Sequence, residues 1–211
     1  LACALLGVLA GGAAGGREAA FRSPMKGPAW PAPRMHAMVH RQNLTDAWAA
    51  YERTRLDEAE NLFRRVALSP GPPAPDLCQA IFGLGWCRAF RSPLPDVDGA
   101  ARHFERIVRE FPASPLAPWA LVELGNLRVK KGRPGQEAGR AHYRQVLEKY
   151  PDSAAVHEAA LRRANSLFYE LTEPQMAAGA EILEQHLRRY PDNPLAVIMH
   201  FRLDYFYGDI R

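Results

Sequence analysis

Three aromatic-proline pairs, spaced about 39 and 40 residues apart, constrain what this chain can fold into more than any other feature. The pairs are Phe111-Pro112, Tyr150-Pro151 and Tyr190-Pro191, and each one closes a run with helical periodicity. Because proline cannot continue a helix, each pair marks a helix end. A recurrence every ~20 to 50 residues is typical of repeat arrays, whose helical hairpins bury their apolar faces only by stacking on neighbours. The spacing therefore predicts a stack of hairpins.

Equivalent positions in the three runs support this prediction. Aligned on the proline, Phe104, Tyr143 and Leu183 share one site, as expected for a core position that each hairpin must fill. Gly85 and Gly125 also share a site inside predicted helices, where glycine costs about 0.5 to 1 kcal/mol relative to alanine. We expect the close approach of the paired helix to compensate for this cost.

Together these residues resemble the tetratricopeptide repeat family. In that family the first helix carries a large apolar residue and then a small one, as in Leu84-Gly85. The second helix carries an alanine, an aromatic four residues on and a terminal proline, as in Ala100, Phe104 and Pro112. The resemblance covers roughly residues 43–211. It implies an all-α fold, a right-handed α-α superhelix of about four helical hairpins plus the first helix of a fifth.

The long repeat with Tyr-Pro-Asp-Ser turns is most similar to the branch of the family found in the envelope of Gram-negative bacteria. That branch includes outer-membrane β-barrel assembly lipoproteins and periplasmic cell-division coordinators. The resemblance therefore implies a location in the periplasm or cell envelope, or in the cytoplasm if the N-terminal run is not an export signal.

Residues 1–20 open with an apolar, uncharged stretch that is too short to span a bilayer, which needs ~20 apolar residues. The stretch matches the core of an export signal remnant, with a disordered leader as the alternative. Cys3 permits a lipoprotein anchor, but the apolar run continues after it, which argues against acylation. Membrane association is therefore expected only through such a signal or anchor. Residues 21–42 are rich in proline and glycine and predict a tether.

The two ends of the sequence predict that it is a fragment. It has no initiator methionine, and Tyr207-Gly208-Asp209 is typical of the turn inside a hairpin. A final helix without a partner would leave Phe201 and Phe206 exposed, so further repeats or a cap are expected after Arg211.

The charge pattern disfavours nucleic-acid binding, and the cysteine spacing disfavours a disulfide. The net charge is only +4, and basic and acidic residues alternate along the predicted helices, which disfavours nucleic-acid binding. Cys78 and Cys87 are nine residues apart in one predicted helix, about 13 Å apart along its axis. A disulfide requires α-carbons within roughly 7 Å, so both are predicted to be packing residues.

No catalytic motif is present: the sequence lacks a glycine-rich phosphate loop, a CxxC pair, an HExxH and a GxSxG motif. His36 and His40 have the i,i+4 spacing of a metal pair, but no third ligand is evident. His186 occupies the site of Ile107 and Val146 and is expected to be partly buried. We therefore predict no enzyme activity, no cofactor and no metal. An alternative is that the chain is a repeat module of a larger enzyme.

The remaining function is binding of a protein or peptide segment, whose identity the sequence does not specify. In the family that this chain resembles, the first helix of each hairpin lines a concave groove. Asn126 and Asn165 share one repeat position, and amides along a groove can hold an extended peptide through both donors and acceptors. The resemblance assigns to this groove Phe82, Trp86, Phe90, Trp119, Asn126, Lys130, Asn165, Tyr169 and Tyr205.

Overall fold

The structure is a computed structural model that describes residues 35–209, with side chains described for residues 39–132 and 134–208. The predicted leader (1–20) and the predicted tether up to residue 34 lie outside the described residues. Within residues 35–209 the regular secondary structure is entirely helical and contains no strand, which confirms the all-α prediction. The helices are α1 (Met35–Glu52), α2 (Leu56–Ala67), α3 (Ala74–Ala89), α4 (Val97–Glu110), α5 (Ala117–Val129), α6 (Arg133–Lys149), α7 (Ala155–Phe168), α8 (Glu173–Arg189) and α9 (Ala196–Asp209).

Proline sets where four of these helices begin. Pro75, Pro118, Pro134 and Pro174 each occupy the first turn of a helix. A missing N–H costs nothing there, because the first-turn amides of a helix have no acceptor within it. Each helix packs against the next along the chain, and α1 also packs against α3 and α5 against α7.

The three aromatic-proline corners have the same local geometry. Phe111, Tyr150 and Tyr190 cap α4, α6 and α8 with φ of −131°, −133° and −134°. The corners are also joined to one another. The Tyr150 hydroxyl donates to the carbonyl of Pro112 at 3.0 Å, and the Tyr190 hydroxyl donates to the carbonyl of Pro151 at 3.2 Å. Each tyrosine corner is therefore tied to the corner before it.

The predicted core positions are buried, and the glycines are explained by close packing. Phe104, Tyr143 and Leu183 are all almost fully inaccessible to solvent. A Cβ atom at Gly85 would lie 2.7 Å from the Phe104 ring, and one at Gly125 would overlap the Tyr143 ring. The expected close approach of the paired helix is therefore confirmed, with an aromatic ring as the contact.

Two predictions about the ends of the chain are wrong, and a third holds only in part. The boundary of the tether at residue 42 is too late, because α1 begins at Met35 and the buried His40 already lies within it. Residues 207–209 form part of α9 rather than a turn. On that helix Phe201 is exposed as expected, at 66%, but Phe206 is buried, at 5%, among side chains of α7 and α8.

Cys78 and Cys87 are both buried and unbridged, as predicted. Burial raises the pKa of the Cys87 thiol to about 12, so the thiol stays protonated at neutral pH. Of the helices described, none has the length and apolarity that a membrane span requires.

Candidate functional site

The predicted groove residues divide into a buried group and an exposed group. Phe82 is fully buried and packs on Phe104 with ring centroids 5.3 Å apart. It therefore belongs to the core rather than to a surface that a peptide could touch. Phe90, Lys130, Tyr169 and Tyr205 are exposed, while Trp86, Trp119, Asn126 and Asn165 are partly buried.

Trp86 is held in place by other aromatic rings. Its ring centroid lies 5.1 Å from that of Phe82 on α3. From α1, Tyr51 stacks on it at 5.5 Å and Trp48 meets it edge-on at 5.7 Å. Aromatic pairs at these separations contribute about 0.5 to 1.5 kcal/mol beyond burial. The indole is therefore rigid, with part of its surface still open to solvent.

The C-terminal ends of α3, α5 and α7 carry an equivalent row of side chains. Phe90, Lys130 and Tyr169 are the residues that cap these three helices. The Lys130 ammonium lies 5.4 Å from the centroid of the Phe90 ring, a cation–π distance that links the ends of α3 and α5. Tyr169 is 66% exposed.

One helical turn before that row, Asn126 is engaged inside the protein. Its side-chain oxygen accepts from the Tyr143 hydroxyl at 2.9 Å, and its amide nitrogen donates to Glu123 at 3.3 Å. Burial is the main reason that the pKa of Glu123 is raised, and Asn126 and Arg162 partly oppose the shift. Sequence reasoning missed Glu123. Glu123 lies three residues before Asn126 on the same helix, and this spacing could have indicated that the two side chains are neighbours.

Asn165 has the same repeat position but a different environment. Its side-chain oxygen is buried and accepts no hydrogen bond from any of the residues that the structure describes. The residue equivalent to Tyr143 is Leu183, which has no hydroxyl to donate. The neighbouring Arg162 is bound by Glu158 at 2.7 Å. Of the two asparagine side-chain oxygens, only that of Asn126 receives a hydrogen bond from a described group, whereas that of Asn165 is buried without one.

These contacts define one continuous surface. Helix α5 packs on α7, the Lys130 ammonium lies near the Phe90 ring, and Trp86 and Arg162 both lower the pKa of Glu123 in part. Since its residues come from odd-numbered helices, we call it the odd-helix face. Its members are Trp86, Phe90, Glu123, Asn126, Lys130, Arg162, Asn165 and Tyr169. On α9, Tyr205 occupies the position equivalent to Trp86, Asn126 and Asn165 and is 60% exposed.

Trp119 is not part of this face. It lies near the corners formed by Phe111-Pro112 and Tyr150-Pro151. It lines a cavity of about 460 Å³ with Pro112, Pro115 and Tyr150. The three hydroxyl groups in this lining are already bonded within the protein: Tyr150 donates to the carbonyl of Pro112, while Ser114 and Ser153 accept from the amides of Leu116 and Ala155. The cavity therefore offers an apolar surface with few free polar groups.

Next to the third corner, α7 and α8 bring together a partly buried His157 and a buried His186. His157 Nδ1 and His186 Nε2 lie 2.9 Å apart, and both rings contact Tyr190. His186 is 7% exposed, in agreement with the expected partial burial. Burial lowers the pKa of His186 to about 4, with smaller contributions from His157 and Arg189.

The described side chains include no group of three or more histidine, cysteine, aspartate or glutamate residues that could hold a metal ion. His40 is buried near Asp76, whose pKa is raised by burial and lowered in part by Arg41 and His40. The His36 side chain lies outside the described residues. No known protein-family model and no curated protein matches this chain.

Proposed function

We propose that this chain is a non-enzymatic protein–protein interaction scaffold. In this proposal the helices form a right-handed α-α superhelix of the tetratricopeptide type, and an extended segment of a partner protein binds along the odd-helix face. The three corners with matching backbone angles, joined in register by tyrosine hydroxyls, support the repeat interpretation.

One observation carries the binding proposal: the odd-helix face combines exposed aromatic side chains with a buried amide oxygen that has no partner. Buried polar atoms in proteins are almost always hydrogen-bonded, and no described group donates to the Asn165 oxygen; in this proposal the partner segment supplies the donor. Tyr169 and Phe90 lie exposed on the same surface, and aromatic residues dominate the binding energy of protein interfaces. An extended peptide supplies both a backbone N–H for the amide and side chains for the rings.

The proposed location is the periplasm or cell envelope. It rests on the resemblance of the Tyr-Pro-Asp-Ser turn to the envelope branch and on the apolar run in residues 1–20. Fusing residues 1–20 to a reporter that is active only after export tests it. An inactive reporter would contradict export directed by this segment.

Selection of a displayed library of short random peptides against the purified chain tests the binding proposal. Recovered peptides should lose affinity with Asn165→Ala and with Tyr169→Ser. Each change removes a proposed contact while leaving the internal hydrogen bonds of Asn126 intact. The matched control is Leu68→Ser, which alters an equally exposed apolar residue after α2, away from the odd-helix face.

Circular dichroism melts separate binding from folding. Asn165→Ala should leave the melting temperature almost unchanged, because its oxygen makes no internal bond. The contrasting variant Asn126→Ala should destabilise the chain by about 1 to 3 kcal/mol, since it leaves the Tyr143 hydroxyl buried without an acceptor. If no peptide is enriched over the background, or if binding survives both face variants, the proposal is wrong.

A further inference from the structure

Glu123 differs from the other glutamates that are withdrawn from solvent. Glu60 is paired with Arg64 and Arg91, Glu158 with Arg162, and Glu170 with Arg140. In the part of the chain that the structure describes, Glu123 is only partly accessible and yet forms no ion pair. A carboxylate withdrawn from water without a cation is unfavourable, so this arrangement is costly in the unbound protein.

The groups around Glu123 stabilise its charge only weakly. The Asn126 amide donates at 3.3 Å, which is a long hydrogen bond. The Trp86 indole N–H lies near the carboxylate and favours its charged form, but it makes no well-aligned hydrogen bond. Because the Tyr143 hydroxyl holds Asn126 from the other side, the amide cannot turn towards the carboxylate without losing that bond. Burial is the main cause of the raised pKa of Glu123, as expected for a carboxyl group withdrawn from water.

The nearby cation is already engaged. Arg162 acts on Glu123 through space but forms its ion pair with Glu158, at 2.7 Å, on its own helix. Asn165, three residues after Arg162, also offers an oxygen without a donor. Two acceptors on one surface, one of them charged, are complementary to a ligand that brings positive charge and N–H donors.

We propose that Glu123 selects the partner segment: it binds the side chain of a lysine or arginine in that segment, beside the rigid indole of Trp86. This inference rests on the proposed function of the odd-helix face and adds the chemistry of its partner. The cation would form a charge-assisted hydrogen bond with the carboxylate, and the indole would contact the apolar stem of the basic side chain.

Two displayed libraries of short random peptides test the proposal, one containing all residues and one from which lysine and arginine are excluded. Peptides recovered from the full library should be enriched in a basic residue. Glu123→Gln, which preserves the size of the side chain, should weaken their binding about tenfold to hundredfold, as expected for loss of a hydrogen bond to a charged group. Replacing the basic residue by norleucine should produce a similar loss, and combining both changes should add little.

The matched control is Glu181→Gln, because Glu181 is an exposed glutamate on α8 that only bonds Gln185 on its own helix. It should leave binding unchanged. Glu123→Lys should reverse the preference and recover peptides with an acidic residue, a gain that a misfolded variant could not show.

The possible failures are distinguishable. If peptides bind in a manner sensitive to Asn165→Ala, but without a basic residue or without a response to Glu123→Gln, the charge proposal is overturned and the binding face stands. Enrichment of acidic peptides by the wild-type chain would also overturn the charge proposal, and would indicate Lys130 or Arg162 as the contact. If neither library yields binders, both proposals fail.

Discussion

At the scale of single residues, the same repeat position takes on different roles. Asn126 and Asn165 are equivalent in sequence, but only the first is bonded by a tyrosine, because α6 supplies Tyr143 where α8 supplies Leu183. The glycines show the reverse case, in which equivalent positions have one role. Gly85 and Gly125 each make room for an aromatic ring from the following helix. At equivalent positions of this chain, the space between two packed helices is therefore more alike than the hydrogen bonds at the surface.

Gly125→Ala should therefore destabilise the chain by about 1 to 3 kcal/mol, although alanine is the better helix former. The added Cβ would overlap the Tyr143 ring, which hydrogen-bonds Asn126 and so has little freedom to move. Chemical denaturation measures the difference. The control is Gly208→Ala in α9, where a Cβ would meet nothing within 4 Å and stability should be unchanged or higher. Equal effects of the two changes would contradict the packing explanation.

At the scale of elements, the corners between hairpins combine a common backbone with different chemistry. Val146 is fully buried at the corner formed by Tyr150, whereas His186 occupies the equivalent place beside Tyr190 and is bonded to His157. The histidine pair joins α7 to α8 only while at least one of the two facing nitrogens is unprotonated. Two imidazolium rings could not share that hydrogen bond and would repel each other.

This corner makes stability depend on pH. The pKa of His186 is about 4 in the folded chain, mainly because of burial, against about 6.5 when unfolded. The unfolded chain thus binds more protons between these values, so the stabilisation is complete above pH 6.5 and is lost as the pH falls towards 4. The loss is on the order of 3 kcal/mol for this group. His186→Val, which places the residue found at Val146 in this corner, should reduce the pH dependence of the free energy of unfolding. Urea unfolding between pH 4 and about 6.5 measures it.

The control is His200→Gln, which removes an exposed histidine of α9 that lies outside the corner. His103, whose pKa burial also lowers to about 4, remains in both variants, so a residual slope is expected. An unchanged slope in His186→Val would contradict the role of the corner.

At the scale of the whole molecule, the described residues form one continuous series of helices in which each packs on its neighbours in sequence. Ion pairs cross between helices as well, as in Arg128–Glu105 and Lys131–Asp98. Such exposed pairs contribute at most about 1 kcal/mol each, so burial of the apolar positions supplies most of the stability. Access to the core therefore requires helices to separate.

The two buried thiols report on that separation. In a Cys3→Ala variant, Cys78 and Cys87 should react with a thiol reagent only as fast as the structure opens, because both are buried and burial raises the pKa of each. Both should react at once in denaturant. Labelling of the native chain at the rate of the denatured chain would show that the helices of the first two hairpins do not pack as described.

The amino-acid sequence by itself determined the helices, their approximate ends and the apolar positions that fill the core. These depend on local physics: proline ends or begins a helix, and apolar spacing marks its buried face. It also indicated that Gly85 and Gly125 mark close contacts. It placed the start of α1 too late, because composition alone does not reveal that His40 becomes buried near Asp76 of α3.

Only the tertiary structure decided which predicted surface residues are exposed and which polar groups have partners. Phe82 and Phe201 are equivalent in sequence, yet the first is fully buried and the second 66% exposed. Burial depends on what packs against a side chain, and that comes from distant parts of the chain. The same reason explains why the sequence could not reveal that Glu123 lacks an ion pair and that no described group donates to the Asn165 oxygen: a missing ion pair or hydrogen bond is a property of the assembled neighbourhood, not of the residue.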